Sequence, residues 1–421
     1  MIAEALDVVG SIYIREMDAR VLLEAALGGM WRTADPAGGS ADPEIQSALR
    51  KGRSAKRPSE QLQLLAGVLT HLRSRQGAAV DPRQVVQAGI QGMVETLDSR
   101  SSVVPADASR DRPAAGTGLA VRKEGDLKVT ATYYDMPAAR ARIRAGDRIL
   151  RIDGQPTKDM TLEEALRRLR GPEGSRVGLS VVRGEREPVD VTLTREVIPP
   201  AIVKASDLGH GIGYIRLGDF TESTPKQLRS ALTDLERKAT SALVVDLRDN
   251  PGGLLSSAIE VAGLFLRKGQ LVASTTGRWK RDRARYEAEG ESPLRQVPMS
   301  LLVNQGCASG TELVAAALQH WKRAVVVGSR TSGSDSIQTI LPLRQSGFVL
   351  ILTTGRFLTP AGLGIDGRGI TPDVPVEAPA TEYAISSGED GLSAAGPRFG
   401  DLDSDVQLQR AIDLLRADIR N

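Results

Sequence analysis

Apolar residues recur at helical spacing from Ile2 to Trp31 (Leu6, Val9, Ile12, then Val21, Leu22, Ala25, Ala26), and Asp35-Pro36 with Gly38-Gly39 closes the run. One or two helices are predicted there. A similar stretch returns from Val85 to Val104, where "VVQAGIQGMVETLD" echoes "LLEAALGGMWRTAD". The echo is either a weak two-copy repeat or a pair of amphipathic helices of like composition. Between Pro105 and Ala115 the chain turns to Pro, Ala, Ser, Asp and Arg, the signature of a linker. From Gly116 to Arg195, short β-like runs (Leu119–Val121, Leu127–Thr132, Arg148–Ile152, Val177–Val182, Val189–Leu193) surround one helical pattern, Leu162–Leu169. After Pro199-Pro200, strand-like "GIGYIRL", helix-like "PKQLRSALTDLE", strand-like "SALVVDLR" and helix-like "SSAIEVAGLFL" alternate, which predicts α/β layers. Val406–Ile419 reads as an amphipathic helix that docks on the body or on a second subunit.

Composition narrows the function. Lys+Arg 55 against Asp+Glu 52 gives a formal charge of only +3, and aromatic residues make up 3%. Nucleic acid is a poor partner for such a chain, because neither a basic stripe nor stacking platforms are available. One cysteine, Cys307, excludes an internal disulfide, and three scattered histidines leave little material for a metal centre, so no metal and no cofactor are expected. No run approaches the ~20 apolar residues of a membrane span. The start, Met1 to Leu6 and then Asp7, lacks a basic region followed by an apolar one, which suits either a cytoplasmic chain or one numbered after a removed leader.

Two motifs carry chemistry. "GTGLAV" opens a strand with two glycines, freeing backbone N–H groups to face a shared concavity in which a terminal carboxylate could sit. With "MPAARARIRAGDRILRIDG" (136–154) it resembles a PDZ domain of the bacterial, circularly permuted kind, whose ligands add as an extra strand. The implied peptide-binding residues are Gly116, Thr117, Gly118 and Leu119, with Leu162, Leu166 and Leu169 lining groove or core. Arg142 stands where glycine is common, which is expected to enlarge the turn. Further on, strand-like "SLLVNQG" runs into "CASGTELVAAALQH", so Ser309 sits at a sharp turn before a helix, where free N–H groups favour developing negative charge. On local sequence, Ser309 or Thr311 serves equally well as an ordinary N-cap.

The blocks "LVVDLRDNPGGLLSSAIEVAGLFL", "LLVNQGCASGTELVAAALQHWKRAVVVG", "TSGSDSIQT" and "LTTGRFLTPAGLGIDGRGITPDVPVE" follow in order, with "TLDSRSSVVP" before them and "DVQLQRAIDLL" after. Together they resemble the carboxyl-terminal processing (tail-specific) serine peptidases across nearly the whole chain. The resemblance implies an α/β core of the crotonase/ClpP-like peptidase type with an inserted, mostly-β PDZ-like domain and an N-terminal helical segment. The implied domains are 1–105 (helical), 106–198 (PDZ-like), 199–380 (core) and 381–421 (tail and helix). It further implies an endopeptidase that binds unstructured polypeptide C-termini and cuts with a Ser-Lys pair, as a homodimer outside the cytoplasm, periplasmic in bacteria. Carried over by position, the nucleophile is Ser309, the oxyanion donors are Gly310, Gly252 and Gly253, and the orienting glutamine is Gln338.

The base does not carry over, because the family's lysine position is Ser334. No lysine occurs after Lys322, which lies roughly 20 Å from Ser309 along one helix, and His320 lies roughly 16 Å away at 1.5 Å per residue. His210 and His71 stay open as spatial partners, Asp335 as a weak base, and Cys307 as a remote alternative nucleophile. A catalytically inactive peptide-binding scaffold is therefore the alternative to a peptidase. An acyl-transfer or isomerising enzyme of crotonase-like architecture is a third class, disfavoured because small acyl substrates have no use for a binder of chain ends.

Overall fold

The computed structural model describes residues 1–34, 42–52, 54–55, 58–76, 81–105, 115–132, 136–197, 203–290, 294–344, 347–377 and 405–420. The Pro36 and Gly38-Gly39 stop, most of the 105–115 linker, Pro199-Pro200 and tail residues 381–404 lie outside that set. The chain forms two compact units: Met1–Arg110 with Gly277–Asp282 and Ile337–Gly355, and Asp111–Thr276 with Arg283–Ser336 and Arg356–Asn421. No described helix is long and apolar enough to cross a membrane.

The first unit packs five helices, α1 (Ile2–Ile12), α2 (Ala19–Ala34), α3 (Pro43–Gly52), α4 (Pro58–Gln76) and α5 (Pro82–Val94), around one apolar cluster. Helices α3 and α4 were not read from the sequence. The echo between the second and fifth helices has a packing origin. A Cβ on Gly29 would stand 2.1 Å from the Ala88 carbonyl oxygen, and one on Gly92 would stand 2.5 Å from that of Ala25. Each helix therefore presents small residues so that the two backbones can touch. Asp81 caps α5 by accepting the Arg83 N–H, with Pro82 in the first turn. The helical stretch expected to run to Val104 stops at Val94. Asp98 then accepts the N–H groups of Arg100 and Ser101, turning the chain into strand β1 (Ser102–Pro105). This strand pairs antiparallel with the strand that starts at Phe348, Val103 opposite Leu350.

In the second unit, β2 (Leu119–Glu124), β3 (Asp126–Thr132), β4 (Arg148–Ile152), β5 (Arg176–Val182) and β6 (Val189–Thr194) form an antiparallel sheet in sequence order. Helices α6 (Pro137–Arg140) and α7 (Leu162–Leu169) accompany it, and Ala165 and Leu169 join Leu127, Val129 and Ile149 in its core. The expected β runs and helix all form. Arg142 does not enlarge the turn; it adopts the left-handed conformation itself, with φ 62°, in the slot where glycine is easiest. The Arg183 guanidinium holds its carbonyl at 2.7 Å.

The larger sheet runs β7 (Val203–Asp207), β8 (Ile212–Leu217), β9 (Ala242–Asp246), β10 (Met299–Val303), β11 (Val325–Gly328) and β12 (Val374–Pro375) in spatial order. All neighbours are parallel except β7 against β8. Strands β8, β9 and β10 are buried along their whole length, as strands covered on both faces are, which explains their mostly apolar sequences. Between the strands come α8 (Thr224–Arg237), α9 (Leu255–Phe265) and α10 (Gly310–His320). The last helix, α11 (Val406–Arg420), docks on this body: Leu408, Ala411, Ile412 and Leu415 pack with Tyr214, Val244, Leu302 and Val327.

Candidate functional site

Parallel strands send their following loops to one edge, and ligands bind outside those carboxyl ends. Here the loops after β8 (Asp219, Phe220), β9 (Asn250 to Gly253), β10 (Asn304 to Ser309) and β11 (Thr331 to Asp335) all leave from that edge. Sequence reading placed Ser309, Gly252, Gly253 and Ser334 in separate motifs. The fold gathers them.

Ser309 is half-buried and holds φ 51° and ψ −117°, a conformation that strains any residue but glycine. A strained serine on a strand-to-helix turn is the geometry of a nucleophile elbow. Its own N–H is taken by Glu312 Oε2 at 3.1 Å. The adjacent loop is pressed close: a Cβ on Gly252 would lie 3.0 Å from both Ser309 Cβ and the Gly310 nitrogen. Asn250 holds that loop. Its Nδ2 donates to the Leu217 carbonyl at 3.1 Å, and its carbonyl accepts the Ala308 N–H and the Thr311 hydroxyl. Thr311 is thus a tie between loops, not the helix cap.

Of the three glycines expected as oxyanion donors, Gly252 gives its N–H to Asn250 Oδ1 at 2.9 Å. Gly310 and Gly253 have no hydrogen bond on their N–H groups among the described residues. Gly253 takes φ 132°, and a Cβ there would stand 2.3 Å from the Phe220 carbonyl oxygen and 2.6 Å from Asp219 Oδ1. Asp219 was not singled out from the sequence. Burial pushes its carboxyl up to about 6, against the Phe220 N–H that it accepts at 2.7 Å.

Glu312 is the other residue the sequence reading missed, although Ser-x-x-Glu before an apolar run is a helix-start signal. Its side chain is wholly buried. Oε1 accepts the Thr331 hydroxyl and the Gly333 N–H, and Oε2 accepts the N–H groups of Ser309 and Ser334, the last at 2.7 Å. Burial raises its pKa while these four donors pull it back. One carboxylate therefore fixes Ser309 and the Ser334 loop together.

Most of the other residues singled out from the sequence have partners of their own. Asp335 is buried, and its Oδ2 accepts the N–H groups of Ile365 and Asp366 at 2.9 and 3.1 Å, so it anchors a loop. His210 lies exposed in the turn before β8, at the amino end of the parallel strands, whereas Ser309 follows their carboxyl end. With the six residues of β8 between those edges, roughly 20 Å at 3.3 Å per residue, it does not serve Ser309. His71 belongs to the first unit, both ring nitrogens at 2.8 Å from carboxylates, Asp42 and Glu44. Cys307 is buried with its thiol on the Leu247 carbonyl, and burial pushes its pKa up, so it is a filler. Gln338 also belongs to the first unit, where its Nε2 donates to Thr353 Oγ1 at 2.8 Å.

Next to β2 in sequence, Gly116 pairs with Glu196 in a separate two-stranded sheet and bridges to Arg170, and the buried Thr117 accepts the Ala138 N–H through its carbonyl. Gly118 takes φ 74°, and a Cβ there would stand 2.3 Å from that of Met136. Leu119 then opens β2, and Leu119 and Leu162 are half-buried on the core that Leu169 joins.

Comparison with known proteins bears on both halves. Residues 211–376 match peptidase family S41, and residues 128–183 match a PDZ domain. A carboxy-terminal-processing protease of Bartonella bacilliformis is 37% identical over 392 residues, 86% of this chain and 89% of its own. A carboxyl-terminal-processing protease of Synechocystis is 35% identical over 72% of this chain and 68% of its own. Among solved structures, the photosystem II D1 C-terminal processing protease superposes with a TM-score of 0.66 at 25% identity, covering 89% of this chain and 92% of that one. With relatives so similar along most of both chains, the protein belongs to peptidase family S41, among the carboxyl-terminal-processing proteases, and carries a PDZ domain.

Proposed function

We propose that this chain binds unstructured polypeptide C-termini through its PDZ domain and presents them for serine-type cleavage at Ser309. The observation that carries the reading is the strained Ser309 beside the Gly310 and Gly253 N–H groups, which have no partner among the described residues. In this reading Ser309 Oγ adds to the scissile carbonyl and gives its proton to a water as the C–O bond forms, the two N–H groups receive the oxyanion, and its collapse breaks the C–N bond. The leaving amine gains a proton, and water releases the acyl group. The PDZ domain, within residues 106–198, delivers chains to the core at 199–380.

Ser334 favours a second reading. With a hydroxyl where the relatives' lysine is expected, the Ser309 proton passes to water, and capture of chain ends outpaces cleavage. The discriminating experiment incubates the protein with an unfolded substrate bearing an apolar C-terminus, beside Ser309→Ala. Cleavage that disappears in Ser309→Ala supports the first reading. Binding with no cleavage leaves the capture reading.

Asp219 gives this site a pH dependence. The ordinary carboxyl titrates near 3.8 and this one at about 6, so between those values the native state keeps a proton that the unfolded chain releases. Its stabilising contribution is complete below the lower value and is lost as pH rises through the upper. The ionised carboxylate beside Gly253 also opposes an oxyanion collecting there. Asp219→Asn is expected to flatten the fall in melting temperature between pH 4 and 6, and to speed acylation severalfold at pH 8 relative to the parent. Parallel melting curves for the two proteins across that range would refute it.

A further inference from the structure

A buried charge cluster lies at the carboxyl end of β9, just before the Asn250 turn. Arg248 is wholly buried and gripped on two edges. Asp246 takes its Nε and Nη2 at 3.0 and 2.6 Å, and Asp405 takes its Nη1 and Nη2 at 2.8 and 2.6 Å. Gln407 accepts from Nη1 at 3.1 Å. Arg216 donates to the Arg248 carbonyl at 2.8 Å and pairs with Asp246 at 3.0 Å, and the Tyr214 hydroxyl completes Asp246 at 2.7 Å. Burial alone would raise Asp246, yet Arg248 and Arg216 outweigh it and hold the carboxylate ionised. Two guanidiniums thus face two carboxylates, and one of those carboxylates arrives from 157 residues away, at the start of α11.

Arg248 stands two residues before Asn250. The intervening Asp249 takes φ 58° and donates its N–H to Asn304 Oδ1 at 2.9 Å. The turn from 249 to 253 is therefore held by the β10 loop and Asn250 on one side and rooted in the Arg248 clamp on the other. We propose that Asp405 is a positioning residue for the candidate oxyanion turn, so that the C-terminal helix sets the geometry of Gly252 and Gly253. Fork-to-fork pairing suits that task, since two parallel hydrogen bonds fix a guanidinium's orientation as well as its charge. Removing one carboxylate leaves a buried cation half-paired and free to swing the backbone it belongs to.

The functional arm of this proposal rests on reading Ser309 and Gly253 as the reactive centre; the structural arm does not. The experiment measures hydrogen exchange, amide by amide, in the full chain and in Asp405→Asn and Asp405→Glu. Asp405→Asn is expected to speed exchange at 249–254 by roughly tenfold or more, with β8 and the PDZ strands unchanged, and Asp405→Glu to restore most of the protection. Where cleavage is measurable, kcat falls with the same variant while affinity for a C-terminal peptide stays constant. Unchanged exchange at 249–254 would overturn the proposal, as would an equal rise through β8, β9 and β10, which marks plain loss of stability. If Asp405→Asn does not fold, Arg248→Lys, which keeps the charge and loses both forks, is read in the same way. If no cleavage occurs in any variant, the exchange pattern still decides.

Discussion

Ser334→Lys is expected to speed cleavage of an unfolded substrate by roughly 10²–10⁴-fold, the range that a positioned general base contributes. The geometry supports a gain at this residue and not at its neighbours. The N–H groups of Ser309 and Ser334 reach the same oxygen of Glu312, at 3.1 and 2.7 Å, so their nitrogens stand no further apart than those two bonds laid end to end. A lysine stem extends about 6 Å from its Cα. An amine grown from position 334 is therefore long enough to reach Ser309 Oγ. Ser334 is half-buried, which favours the neutral amine by desolvation and brings its affinity for a proton toward that of a working base. The measurement is turnover of an unfolded protein with an apolar C-terminus, compared with the parent and with Ser332→Lys, an exposed position in the same loop. Rates within threefold of the parent for Ser334→Lys, or an equal gain from Ser332→Lys, would rule out the assignment of this loop as the base position.

How much of this was legible in the sequence follows from the range of the interactions. Helix α7 and strands β2 to β6 were readable because their order is local: alternation and a 3.6-residue period are written within each segment. Strands β8, β9 and β10 announced themselves as short, mostly apolar runs, and the chain blocks around Ser309 carried the family likeness. Helix α4 escaped because apolar residues such as the exposed Leu62 lie off its buried face and blur the stripe, whereas α3 carries a clear stripe, Ile45, Ala48 and Leu49, but within only ten residues. The pairing of Val103 with Leu350 joins strands that share no local signal. The same holds for the site's supports. Asp219 looks like any surface aspartate until Gly253 is set against it, and Asn250 looks like a turn former until its carbonyl is found holding Ala308 and Thr311. Spacing could name Ser309, but whether Gly252 offers its N–H to a substrate depends on where the Asn250 side chain points, and only coordinates answer that.

Glu312→Gln is the variant expected to damage the site most while leaving the PDZ domain intact. Four donors converge on the two oxygens of this buried carboxylate, which fills the acceptor capacity of the group. That saturation also explains why Glu312 is a clamp and not the missing base: to accept a proton it would have to release one of the four. An amide in its place turns one acceptor into a donor aimed at donors. Two of the four partners then lose their acceptor, at about 1–3 kcal/mol each for buried groups. Depending on which way the amide turns, the freed pair is Ser309 with Ser334 or Thr331 with Gly333, and either choice loosens the loop against the helix start. The strain at Ser309, φ 51°, persists only while its surroundings enforce it, so the serine is expected to relax toward an ordinary helical cap. In the Ser334→Lys background, kcat is expected to fall by roughly a hundredfold or more, with affinity for a C-terminal peptide unchanged. Glu312→Asp, which keeps the charge but retracts the oxygens by one methylene, should fall between the two. Turnover within twofold of the parent for Glu312→Gln would show that Ser309 and the Ser334 loop keep their places without the carboxylate, and the clamp would then be a matter of stability alone.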